Sequence, residues 1–297
     1  MQTSIALVKI LMRLKSSLLF MLLVPASIGA QVSYNANTRV DAYTGSFAYG
    51  CNFGSYPPWN DYTLADIAAG NTALNVKGAG VRSLHVPLPE HFLEQWGYSI
   101  RLNQFNHYAS LGMIDHTVFI GYPSAAHKET DSYCANTTSA LFENLYTDIW
   151  DGGANGTPVN DDNYYALYIY KMLKVYKYKV KFWEIWNEPD YTYSGNGNKA
   201  AGVAGNWWDN NPPPCDLENL KAPIYHYVRM LRISYEVIKT LDPRAYVAIG
   251  GIGYPSFLDA VLRNTDNPTD GSVNSSYPLT GGAYFDVLSY HSYPSIH

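Results

Sequence analysis

The chain is predicted to be an α/β protein built on a (β/α)8 barrel, with about six of the β/α units legible. Three observations lead there. Short apolar runs alternate with longer segments of helical period, the pattern of parallel β/α units rather than of a sandwich. Residues 31–297 suit one large domain, and α/β barrels are a standard case at that size. Apolar side chains make up 47% of the chain, enough for a sizeable core.

In chain order, residues 46–54 (SFAYGCNFG) read as the first strand and 63–70 as a helical turn opened by Thr63. The second strand is expected over 80–90, and a helix over 99–112 stopped by Gly112. The third strand, 116–123, is followed by a long polar loop to about Asn160. Tyr165, Tyr168, Ile169, Met172, Leu173 and Tyr176 then recur with helical period, and residues 160–162 supply a cap and first-turn charge. The fourth strand, 179–186 (KVKFWEIW), leads into a second long loop to about Lys221. Pro223 opens the next helix, which carries Ile224, Val228, Leu231, Tyr235 and Ile238 on one face and stops before Asp242. Strands five and six are expected over 246–253 and 285–294. At ~30 residues per unit, a complete barrel needs roughly 60 to 100 residues more, so the chain reads as incomplete before strand seven.

Lys9, Arg13 and Lys15, the apolar run 18–24 and Ala30 form a secretory signal pattern, so residues 1–30 are expected to be a cleaved leader and 31–297 the functional domain. The alternative, a membrane anchor, is disfavoured because the run is well short of the ~20 apolar residues a span needs. The expected location is secreted or periplasmic. Loss of the three leader cations leaves 17 basic against 25 acidic side chains, a net charge of −8. That balance excludes the electrostatic footprint of a nucleic-acid or anionic-lipid partner. Three cysteines in an exported chain leave one odd thiol; Cys134 and Cys215, both in polar loops, are the expected disulfide.

The segment KFWEIWNEPD, 181–190, carries the chemistry. An apolar strand ends on Asn187, Glu188 and Pro189, and the C-terminal ends of parallel barrel strands form the active face. Proline removes a backbone donor and fixes φ, which holds the amide and the acid in place. Glu184, four residues earlier, is expected to point into the barrel below the rim.

WNEP after such a strand resembles the strand-four signature of the clan A glycoside hydrolases, retaining enzymes on a (β/α)8 barrel. The resemblance implies that Glu188 is the general acid/base and that Asn187 contacts the sugar's 2-hydroxyl. VRSLH (81–85) is similar to the clan's strand-two segment and implies a substrate-side role for Arg82, the alternative being a partner for Glu184. HSYP (291–294) resembles its strand-six segment and implies that His291 and Tyr293 line the same site. The strand-four and strand-six segments look like those of the xylosidase/iduronidase-type family 39.

Trp59, Trp96, Trp150, Trp207 and Trp208 fall in or beside loops, and Trp207 and Trp208 are the candidates for a sugar-subsite wall. The alternative for each is that it packs a loop base. No metal or organic cofactor is implied, and no zinc-helix, phosphate-loop or Gly-x-Ser-x-Gly spacing occurs. A carbohydrate is the expected partner. A retaining glycosidase needs a second carboxylate as nucleophile, which the resemblance places at the end of strand seven, beyond His297. The chain by itself is therefore expected to be inactive or nearly so. The alternatives are a non-catalytic carbohydrate-binding protein that lost its nucleophile, and a non-functional fragment.

Overall fold

The computed structural model describes residues 48–54 and 56–293. The leader expected over 1–30, the first two residues of the first expected strand and Pro294 lie outside them. Five strands pair side by side, all parallel: β1 (Gly50–Cys51), β2 (Ser83–Pro87), β3 (Thr117–Ile120), β4 (Phe182–Asn187) and β5 (Tyr246–Gly251). Their spatial order, β1-β2-β3-β4-β5, is their order in the chain. This is consistent with part of a β/α barrel; the five strands form an open order in which no pairing between β1 and β5 occurs.

Among the described residues six helices accompany the sheet: α1 (Asp61–Ala69), α2 (Glu90–Trp96), α3 (Leu102–Ser110), α4 (Tyr164–Tyr176), α5 (Ile224–Leu241) and α6 (Pro255–Arg263). In β2 and β3 buried and half-buried positions alternate, so Leu84, Val86, Val118 and Ile120 enter the core from one face. β4 and β5 are buried at almost every position, as expected of parallel strands covered on both sides. The predicted α4 stripe is buried at all six positions. Helix α5 exceeds its expected single face, because His226, Arg229 and Glu236 are buried on it as well.

Several expectations change in detail. The cap of α1 is Asn60, whose side chain accepts from the Tyr62 and Thr63 amides; Thr63 lies inside the first turn. The cap of α4 is Asn163, not residues 160–162, since its side chain reaches the Ala166 amide. Helices α2 and α6 escaped the sequence reading. The first has only seven residues and no capping side chain, whereas α6 has both Pro255 at its start and a buried Phe257–Ala260–Val261 stripe.

The sixth expected strand is not a continuous one. Residues 287–290 lie parallel to β5 but touch it at two isolated bridges, Ala248 to Val287 and Ile252 to Tyr290. β5 thus spends one more residue than its neighbour between the bridges, a bulge-like mismatch that breaks the ladder. Backbone hydrogen bonds from Ile249 to Val287 and from His291 to Ile252 still fix the segment beside β5.

Two buried tyrosines close the places where strand ends diverge. The Tyr168 hydroxyl donates to the Leu88 carbonyl and accepts from the Gly121 amide, joining the ends of β2 and β3. The Tyr227 hydroxyl donates to the Ile185 carbonyl at 2.8 Å and accepts from the Gly250 amide at 2.9 Å, joining β4 to β5. Cys134 and Cys215 are bonded, Cα–Cα 5.1 Å, and tie the loop after β3 to the loop after β4; Cys51 is free. Among the described residues no helix is long and apolar enough to cross a membrane.

Replacing Tyr227 with Phe leaves a buried carbonyl and a buried amide unpaired. The expected loss is about 1–3 kcal/mol per orphaned group, read from urea unfolding against wild type. Opening the disulfide, which spans 81 residues, is expected to remove about 4.5 kcal/mol at most by the chain-entropy relation; Cys134→Ser with Cys215→Ser in the same titration checks it.

Candidate active site

The site forms where β4 stops being a regular strand. The register runs from Ile185–Ile249 to Asn187–Gly251, with Trp186 between. Trp186 has φ +71° and Glu188 φ +49°, left-handed values that bulky residues adopt only where surroundings impose them. What imposes them is packing. Trp186 is buried and stacks on Tyr122, ring centroids 4.4 Å apart. Gly121 beneath it has φ +131°, and a Cβ there would meet the Trp186 ring at 2.4 Å, so only glycine fits. The Tyr122 hydroxyl also reaches the Asn187 carbonyl at 3.5 Å.

These turns deliver Asn187, half-buried, and the Glu188 carboxylate to the C-terminal end of the sheet. Asn219 holds the backbone from the following loop by donating to the Glu188 carbonyl at 2.9 Å. His291 Nδ1 lies 2.9 Å from Glu188 Oε1, and the Tyr293 hydroxyl donates to the same oxygen at 3.3 Å. His291 can sit there because β5 ends in glycine: a Cβ on Gly251 would come within 2.1 Å of its Nε2. The nearby carboxylate charge raises the Tyr293 phenol above its ordinary value. Burial, and after it the Glu188 charge, pushes Tyr122 up to about 12.

One level deeper lies a second carboxylate. Glu184 is 1% exposed; His85 Nε2 is 3.1 Å from its Oε1 and the Ser289 hydroxyl donates to its Oε2 at 2.6 Å. The His85 and His291 rings meet edge to face, centroids 6.0 Å apart, linking the two levels. A cavity of about 390 Å³ is lined by His85, Glu184, Ser289 and His291, together with Cys51 and Asn52 at the end of β1.

Glu188, Asn187, His291 and Tyr293 are thus brought together, and Arg82 is not. It is exposed and precedes β2. Pro87 pairs with Phe119, which pairs with Glu184, so Arg82 stands five residues below that level, at the opposite end of the strand from the rim. The alternative place for it, beside Glu184, is taken by His85. The signal was in the sequence: with a period of two, Ser83 and His85 share one strand face, as do Ser289, His291 and Tyr293 in the last segment.

Trp207 is corrected too. It is fully buried, edge-on to Tyr254 and Phe257, and packs the base of the loop after β4. Trp208 is 37% exposed.

A further residue in the same segment was missed. Asp190 is buried, and its Oδ2 accepts from the Gly253 and Tyr254 amides at 2.8 and 2.7 Å. It straps the loop after β4 to the end of β5. Burial raises its carboxyl to about 6 despite those two donors.

No known family's model matches the chain, and no curated protein matches it. Solved structures of glycoside hydrolases are similar to it. One is a family 39 glycoside hydrolase from the gut symbiont Bacteroides cellulosilyticus WH2, at 16% identity and TM-score 0.35, over 69% of this chain and 31% of that one. Another is a glycoside hydrolase at 15% identity and TM-score 0.35, over 70% of this chain and 53% of that one. The chain spans about a third and about half of the length of these two proteins.

Asp190 holds its proton in the folded state up to about pH 6 but loses it near 3.9 when unfolded. Stability is therefore expected to fall as pH rises from about 4 to about 6 and to level above that, by about 3 kcal/mol at most. Asp190→Asn should flatten that slope in urea unfolding across pH 4 to 7. Trp207→Ala is expected to cost about 3–5 kcal/mol as a core truncation, while Trp208→Ala stays near 0.5 kcal/mol; thermal unfolding of both variants separates them.

Proposed function

We propose that this chain belongs to an exported retaining glycoside hydrolase that acts on a β-linked poly- or oligosaccharide, with Glu188 as the acid/base. One observation carries the reading: Glu188 stands at the C-terminal end of a central parallel strand, beside Asn187, with its Oε1 held by both His291 and Tyr293. A carboxyl fixed on one oxygen keeps the other, Oε2, for a reacting group. An amide next to it supplies a donor and an acceptor for a sugar hydroxyl.

In that reaction Glu188 protonates the leaving oxygen as a nucleophile attacks the anomeric carbon. It then deprotonates the water that releases the sugar. Asn187 holds the 2-hydroxyl, and His291 and Tyr293 keep the Glu188 carboxylate in one orientation. Trp208 offers an exposed aromatic face beside the long loop after β4. Among the described residues, the only other carboxylate joined to this cluster by hydrogen bonds or ring contacts is Glu184, and it is buried and engaged by His85 and Ser289. Among the described residues no nucleophile is therefore assigned. Export rests on the Lys9, Arg13, Lys15 and 18–24 pattern.

The test uses the protein isolated from its native source, with Glu188→Gln made in the same full-length chain. On unactivated oligosaccharides kcat is expected to fall by about 10²- to 10⁴-fold, the usual contribution of a general acid. On aryl glycosides of acidic phenols, whose leaving groups need no proton, the loss of the glycosylation rate is expected to be far smaller. Equal losses on both substrates would remove Glu188 from the acid role. A wild-type protein that binds oligosaccharide yet cleaves neither substrate would instead be a non-catalytic carbohydrate-binding protein.

A further inference from the structure

We propose that His85, Glu184 and His291 form a binding site for a divalent transition-metal ion, with Zn²⁺ the best match. One nitrogen of each imidazole and one oxygen of the carboxylate all lie within 4.8 Å of one another. Two ligands of a tetrahedral zinc, each ~2.0–2.1 Å from the ion, stand about 3.3 Å apart. His85 Nε2 and Glu184 Oε1 are 3.1 Å apart, so that edge of the coordination shell already has the right length. The other separations are at most 4.8 Å, so reaching that edge length closes them by about 1.5 Å at most.

The surroundings are those of an ion site. Metal-bound histidines almost always place their second nitrogen against a carboxylate or carbonyl, which sets the tautomer and the ring orientation. His291 does this: its Nδ1 is 2.9 Å from Glu188 Oε1, which leaves Nε2 as ligand. Ligating carboxylates are themselves hydrogen-bonded, and Ser289 donates to Glu184 Oε2 while Oε1 faces His85.

Charge points the same way. Glu184 is 1% exposed, and a buried carboxylate is costly unless a cation or a full set of donors compensates it. His85 and Ser289 are its hydrogen-bond partners. A dication between the two imidazoles would neutralise it. Two histidines and one carboxylate suit zinc and the neighbouring first-row metals rather than calcium or magnesium, which take all-oxygen shells. The cavity of about 390 Å³ in front of the three groups gives the ion an entry path and room for a water in its fourth position. Short-range sequence spacing could not reveal the site, because its ligands come from β2, β4 and the segment beside β5.

This inference shares His291 with the hydrolase reading, but its readout is metal uptake, not turnover, so the two can fail separately. The untagged, metal-stripped full chain is titrated with Zn²⁺ by calorimetry and with Co²⁺ by visible absorption. One Zn²⁺ per chain is expected, together with the d–d bands of four-coordinate cobalt that Zn²⁺ then displaces. His85→Ala, at a half-exposed position, is expected to weaken Zn²⁺ binding at least about 10-fold, the lower bound for losing even an outer-shell partner. His127→Ala, whose ring pairs with Glu90 elsewhere, should leave binding unchanged. If His85→Ala does not fold, as judged by circular dichroism, the cobalt spectrum of the wild-type chain decides. Absence of stoichiometric Zn²⁺ uptake, a cobalt spectrum that stays that of the hydrated ion, or uptake insensitive to His85→Ala in a folded variant would each overturn the site.

Discussion

The hydroxyl of Tyr227 occupies the gap where β4 and β5 part, and the geometry of the candidate site depends on it. A strand that turns Trp186 and Glu188 into left-handed backbone loses its ordinary ladder there. The Ile185 carbonyl and the Gly250 amide would be left buried without partners. One phenol satisfies both, which makes the irregular strand end affordable in a dry core where an unmade hydrogen bond is costly. Tyr168 does the same between β2 and β3. Both tyrosines sit on helices behind the sheet, so the packing of α4 and α5 is transmitted to the rim through two hydroxyls. A loop could place Glu188 at a similar point, but not with its backbone held from both neighbouring strands.

Around that strand end the molecule arranges its acids at three depths with different partners. Glu188, on the rim, is 26% exposed on its side chain and meets an imidazole and a phenol. Glu184, below it, is buried against an imidazole and a hydroxyl. Asp190, to the side, is buried against two backbone amides and is the group that burial drives toward the neutral form. Three carboxyls within seven residues of one strand thus receive three environments, which is how one segment can supply proton transfer, charge and anchorage at once.

Some of this was legible in advance for physical reasons that can be named. Parallel strands buried on both faces must be apolar runs, and KFWEIW is one. A helix covering such a sheet must repeat its apolar side chains with period near 3.6, as Tyr165 to Tyr176 do. Asn and Glu at the end of a buried apolar strand are out of keeping with its core, so they pointed to a candidate site. Where the reading failed, the cause was local. Thr63 and residues 160–162 are as competent as Asn60 and Asn163 for capping, and the choice depends on where the chain leaves the sheet. Arg82 stood out as the charged residue of its segment, while His85, three positions nearer the rim, carries the contact.

The sequence by itself determined the parallel α/β class, the order of the strands, the core stripes of α4 and α5, and the placing of Asn187 and Glu188 at a strand end. Each of these follows from period, composition and chain direction, which are properties of short stretches. Tertiary structure alone decided that Trp207 is core, that the segment 287–290 meets β5 by two bridges instead of a ladder, and that His85, Glu184, Ser289 and His291 surround one cavity. Those outcomes depend on which strands become neighbours and at what register. Glu184 and Ser289 are 105 residues apart in the chain and 2.6 Å apart in space, and no pattern within a single segment contains that distance.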